Sequence, residues 1–114
     1  MIKIKKSVYD EPEAADGKRI LVITMWPRGI SKEKVDLWMK DLGTPKELIH
    51  KWKSGKIFWG MYTVRYGESL RGKEESLRKL AEESRKGTII LLCTEKDPNR
   101  CHRSLLKNAI EKMQ

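Results

Sequence analysis

TIILLCTEKDPNRCHR, residues 88–103, holds both cysteines of the chain and one of its two histidines inside a strand, turn and helix pattern. Thr88 to Leu92 is a short, β-branched, almost purely apolar run after Gly87, as expected of a strand covered on both faces of a parallel sheet. Cys93 then falls at the carboxyl end of that strand. Asp97-Pro98 is a turn and helix-start signal, and beyond Cys101 the residues Leu105, Leu106, Ala109, Ile110 and Met113 recur at helical spacing. Cys101, His102 and Arg103 therefore belong to the first turn of a helix. Open α/β sheets bind ligands beyond the carboxyl ends of their strands, and free amides at a helix N-terminus attract anions. The stretch that anchors the sheet is thus also the candidate site.

Arg19 to Met25 is the second continuous apolar run, ending in Trp26-Pro27-Arg28-Gly29. If the two runs are parallel neighbours, the connection between them is right-handed and their carboxyl ends share an edge. Trp26 and Arg28 then approach Cys93, Cys101, His102 and Arg103. Ile2, Ile4 and Val8, interleaved with lysines, predict an edge strand over residues 2–8. Residues 10–17 are too few for a helical crossover, so this strand is expected either to pair antiparallel with its successor or to lie elsewhere in the sheet.

Val35, Trp38, Met39 and Leu42 at positions i, i+3, i+4 and i+7 predict a helix with Ser31 as its N-cap and Gly43 as its end. Thr44-Pro45-Lys46-Glu47 reads as the N-cap, first-turn proline and capping box of a second helix, closed by Gly55. The row Trp59, Tyr62, Tyr66, Leu70 predicts a third, and residues 73–86 a fourth, capped by Gly87. The expected fold is a single α/β domain over residues 1–114, a mainly parallel sheet of few strands covered by helices.

A chain of 114 residues is large enough to bury a core without staples. Its formal charge of +9 and pI of ≈ 9.7 favour anionic partners, either a small anion or nucleic acid, although the lysines are interleaved with glutamates. Two Asn and one Gln beside 41 charged residues (25 basic, 16 acidic) resemble the composition of thermostable proteins. There is no apolar run of membrane-spanning length and no signal-peptide pattern, so a cytoplasmic location without membrane association is expected. In that compartment two cysteines are not expected to form a purely structural disulfide.

Cys93-Thr94-Glu95-Lys96-Asp97-Pro98 followed by Cys101-His102-Arg103 resembles the signature of domain-of-unknown-function family 488 (DUF488). Val8-Tyr9-Asp10, Asp16-Gly17 and Trp26-Pro27-Arg28-Gly29 with Ser31-Lys32 are similar to its YeaO-like branch, so the resemblance spans nearly the whole chain. The family is biochemically uncharacterised and implies no named reaction. The YeaO-like branch typically carries an aspartate-arginine pair where Thr24 and Met25 stand here; if that acid is catalytic in relatives, this chain either lacks the activity or supplies the group from Asp10 or Asp97.

Three chemistries can use the cluster. Arg28 and Arg103, with Trp26 and Lys96 beside them, would hold an anion, and His102 would exchange a proton. Cys101, at a helix N-terminus beside His102 and Arg103, would be a nucleophilic thiol, with Cys93 as a second thiol near it. Zinc on Cys93, Cys101 and His102 lacks the paired-cysteine knuckle of structural sites, and no metal or other cofactor is expected.

Overall fold

Lys18–Leu21 (β2) and Ile89–Leu92 (β4) form the centre of a four-stranded parallel sheet in the computed structural model, which describes residues 1–114. The order is β1-β4-β2-β3, with Ile2–Lys3 (β1) and Leu37–Trp38 (β3) as two-residue edges. Register places Ile20 opposite Leu91 and Leu21 opposite Leu92, so β2 and β4 end level with one another. The N-terminal strand pairs parallel with β4 and not with its successor, the second of the two arrangements expected, and covers far less than residues 2–8.

Four helices follow the expected pattern of amphipathic stripes: Lys46–Lys53 (α1), Trp59–Ser69 (α2), Glu74–Lys86 (α3) and His102–Glu111 (α4). Their inner residues, among them Tyr62, Tyr66, Leu80, Leu106 and Ile110, pack with Ile20, Ile89 and Leu91 into one core of 16 buried residues. The alternate strand residues Leu21, Ile90 and Leu92 face the other way and meet Val8 and Ile30 under Trp26 and Val35. Both central strands are therefore covered on both faces, which accounts for their unbroken apolar sequence. Loop residues supply the second cover.

The helix expected across residues 31–42 does not form. Short 3₁₀ turns at Lys32–Lys34 and Lys40–Leu42 flank β3, whose Leu37 and Trp38 pair with Ile20 and Leu21. Asp36 accepts the Arg19 amide at 2.7 Å and Trp38 donates its indole N–H to the Ile23 carbonyl at 2.7 Å. An open sheet edge beside β2 thus outcompetes a local helical pattern that only four residues support. The capping box at Thr44 is absent too, because the helix begins one residue later and the Thr44 hydroxyl bonds Tyr62 Oη at 2.7 Å.

Loop 10–17 is pinned by a buried ion pair, Arg19 Nη1 to Asp16 Oδ2 at 2.7 Å, with Lys6 on the other carboxylate oxygen at 2.9 Å. Burial works to raise the Asp16 carboxyl, and bonds from the Glu13 amide, Lys6 and Arg19 outweigh it, holding the group below its usual range. Gly17 ends this loop at φ 73°, where a Cβ would stand 2.1 Å from the Thr88 carbonyl oxygen. Gly17→Ala combines a left-handed conformation with a backbone clash, and is expected to lower the urea unfolding midpoint by the equivalent of about 2 kcal/mol. An unchanged midpoint would show that the loop re-forms without the close approach.

Candidate functional site

Because β2 and β4 run parallel and stop together, the chain segments leaving them diverge over a cleft of ≈ 330 Å³. Its lining includes Cys93, directly after β4, and Cys101 and His102 at the start of α4. Trp26 from the segment after β2, Trp52 from α1 and Tyr62 from α2 also line it. The site therefore sits where an open parallel sheet places its ligands.

His102 is held from three sides. Its Nε2 lies 2.5 Å from the Val22 carbonyl oxygen, its ring stands edge-on to Tyr66 at 5.3 Å, and its Nδ1 lies 3.4 Å from Cys101 Sγ. A carbonyl can only accept, so the proton on Nε2 is committed to Val22. Nδ1 is left facing the sulfur, able to take a proton from the thiol or return it.

Cys101 is the N-cap residue of α4 and is 2% exposed, and Cys93 is 4% exposed, yet both contribute to the cleft surface. The donor atoms of Cys93, Cys101 and His102 all lie within 4.8 Å of one another. A hydrogen bond from Cys93 lowers the Cys101 thiol, burial opposes this, and His102 and Arg103 add to the lowering, so Cys101 lies well below the usual thiol range. Cys93 moves up for the complementary reason: it keeps its proton to share with the Cys101 sulfur, and burial acts in the same direction. The two groups are thus pushed in opposite directions, Cys101 towards thiolate and Cys93 towards thiol.

Arg103 has a role other than the one its sequence position suggests. Its side chain is wholly buried, with Nε donating to Cys101 Sγ at 3.4 Å, Nη2 to the Glu95 carbonyl at 2.8 Å, and Nη1 to the Lys6 carbonyl. It ties the turn after β4 to the N-terminal segment from beneath the cleft and supports the thiolate. Arg28 and Lys96 are exposed and stand outside the cleft lining, so the structure does not bring Arg28 and Arg103 to one face of it. Asp10 accepts the Ser7 amide and Asp97 accepts the Asn99 amide, each at 2.9 Å, and neither lines the cleft.

The basic residues that do line it are Lys46, Lys53 and Arg100, with Glu95 paired to Lys53. None of these three was singled out by the sequence pattern. Arg100 had one usable signal, its place directly before Cys101 in the turn, whereas Lys46 and Lys53 arrive by the packing of α1. Trp52 and Tyr62 read as core from their spacing, and they are: half-buried and buried residues whose one free side faces the cleft.

Cys93, Cys101 and His102 form a set of soft donors that could surround a metal ion. The guanidinium already donating to Cys101 Sγ sets a fixed positive charge against a divalent cation there. The arrangement is better matched to stabilising a bare thiolate.

The sequence model of a family described as the active DUF488-N3 subclade matches residues 2–114. The chain is 32% identical over 103 residues to the uncharacterised protein YeaO of Escherichia coli K12, spanning 89% of this chain and 90% of that protein. It is 35% identical over 81 residues to the uncharacterised protein Rv3073c of Mycobacterium tuberculosis, spanning 68% of this chain and 69% of the relative. The uncharacterised protein Mb3100c of Mycobacterium bovis matches to the same extent. No solved structure matches the chain.

Proposed function

This chain belongs to the DUF488 family, within its N3 subclade, and from that premise we propose that it is a thiol-dependent enzyme acting on a small anionic substrate, with Cys101 as nucleophile. The observation that carries this reading is the line from the Val22 carbonyl through His102 to Cys101 Sγ at the inner end of a cleft. It reproduces the logic of a nucleophile, a base beside it and a third group fixing the base.

In the first step the Cys101 thiolate gives its electron pair to an electrophilic carbon of the substrate. The sulfur–carbon bond forms as the leaving group departs with its own bonding pair, and His102 supplies a proton from Nδ1. In the second step an acceptor such as water loses a proton to His102 and attacks the same carbon. The sulfur–carbon bond breaks and the thiolate returns to its place between Arg103 Nε and Cys93. Lys46 and Arg100 at the mouth supply the attraction for an anion that sequence assigned to Arg28 and Arg103.

Limiting iodoacetamide at neutral pH, followed by peptide mass mapping, tests the assignment. Cys101 is expected to label at least about tenfold faster than Cys93, because only its thiolate is populated. His102→Gln keeps a donor for Val22, removes the base, and should slow Cys101 labelling at about pH 6 with the circular dichroism spectrum unchanged. Two thiols that label only on unfolding would remove Cys101 from chemistry.

The charge of +9 supports a different reading, a nucleic-acid-binding module that uses its lysine surface. Such binding would weaken steeply with salt and survive Arg100→Ala, whereas binding in the cleft would depend on that arginine.

A further inference from the structure

The cleft beside Cys101 is small, aromatic on its walls and basic at its mouth. At ≈ 330 Å³ it lies at the low end of the range that small-molecule sites occupy. Trp26 and Trp52 reach it from different elements, and other rings brace both. Trp26 stands edge-on to Trp38 at 5.3 Å, while Trp52 leans on Trp59 at 4.9 Å and on Tyr62 at 5.3 Å. Trp26 gives its indole N–H to the Ile30 carbonyl at 2.8 Å, so it offers the cleft ring surface and no donor. Rings fixed in this way can stack on a planar group with little further loss of side-chain freedom.

The polar groups are equally selective. Tyr62 Oη and Thr44 Oγ1 bond one another at 2.7 Å, and burial keeps the phenol neutral far above its usual range, so this wall carries no charge. At the mouth three cations, Lys46, Lys53 and Arg100, face one carboxylate, Glu95, which Lys53 already satisfies. Lys46 and Arg100 remain for an external anion, and Arg100 is itself poised 5.9 Å over the Trp59 ring.

Resting on the reading of this cleft as the reaction site of Cys101, we infer that the substrate is a small planar aromatic ring bearing one anionic group. The ring lies against Trp26 and Trp52, and the anion is held by Lys46 and Arg100. A nucleoside monophosphate and an aromatic carboxylate both present this chemistry.

Calorimetric titration of the Cys101→Ser protein with adenosine 5′-monophosphate, benzoate, adenosine and inorganic phosphate separates the possibilities. At least one of the two ring anions is expected to bind about tenfold more tightly than adenosine or phosphate alone. Which of the two binds tells the source of the ligand. Arg100→Ala, at an exposed position that leaves the fold undisturbed, and Trp26→Leu should each weaken that binding about tenfold. Phosphate binding as tightly as the monophosphate, adenosine binding as tightly, or none of the four binding would each overturn the inference. Labelling of Cys101 in the unsubstituted protein is scored separately. A reactive Cys101 with no ring-anion binding retires this substrate class and keeps the thiol reading, while ring-anion binding beside two inert thiols does the reverse.

Discussion

Cys101 is expected to react with iodoacetamide at nearly the same rate at about pH 6 and about pH 8, whereas an ordinary thiol slows about 100-fold across that interval. The reagent consumes thiolate, so its rate follows the ionised fraction. The usual thiol value of 9.0 would put nearly all of Cys101 in the protonated form throughout. The hydrogen bond from Cys93, with His102 and Arg103 behind it, moves the transition far enough down that the fraction is already saturated. Cys93→Ala removes the first of these contributions, and should restore part of the slope by slowing the acid end. A wild-type rate rising tenfold per pH unit would refute the thiolate assignment.

The same pair sets the sign of a linkage. Cys101, depressed in the folded state, adds stability that is fully present above 9.0 and is lost as pH falls through its folded value. Cys93, raised in the folded state, acts oppositely and removes stability once the unfolded chain would ionise it. As far as these two groups decide it, stability peaks near the ordinary thiol value.

Arg103→Ala should destabilise the fold by about 3–5 kcal/mol, lowering the melting temperature by more than about 10 °C. The guanidinium is wholly buried, and its removal leaves the Lys6 and Glu95 carbonyls without their donor and opens a void under the cleft. Arg103→Lys is expected to recover little, since one ammonium cannot reproduce three bonds that leave a planar fork in three directions. A loss below about 1 kcal/mol would mean that water replaces the guanidinium, and that residues 95 and 6 do not depend on it.

Much of the frame was legible because its signals were local and agreed. The apolar run at residues 89–92, the stripe at Trp59, Tyr62 and Tyr66 and the helix ends at Gly55 and Gly87 each specify an element without outside help. Residues 31–42 misled because Val35, Trp38, Met39 and Leu42 fit a helix by spacing, while the deciding bonds came from Arg19 and Ile23, remote in sequence. The cysteine and histidine part of the site was legible for the same local reason, being a motif at a strand end and a helix start. Arg103 was not: a buried arginine satisfied by main-chain carbonyls has the same letters around it as one facing solvent. The basic mouth was also hidden, since Lys46 and Lys53 come to it through the packing of α1 on α2 and nothing in their own neighbourhood marks them.

The order of the sheet also sets a timetable. β1 docks beside β4, and Arg103 reaches back to Lys6 across 97 residues of sequence. Contacts of such span must close a very long loop before they return any stabilisation, so they form late in folding. The helices between them can collapse early on local contacts, but the turn bearing Cys101 gains its support from beneath only when the two ends of the chain meet. The last contact to form is therefore the one that holds Arg103 from the far end of the chain, and the cluster gains that support only with the final docking step.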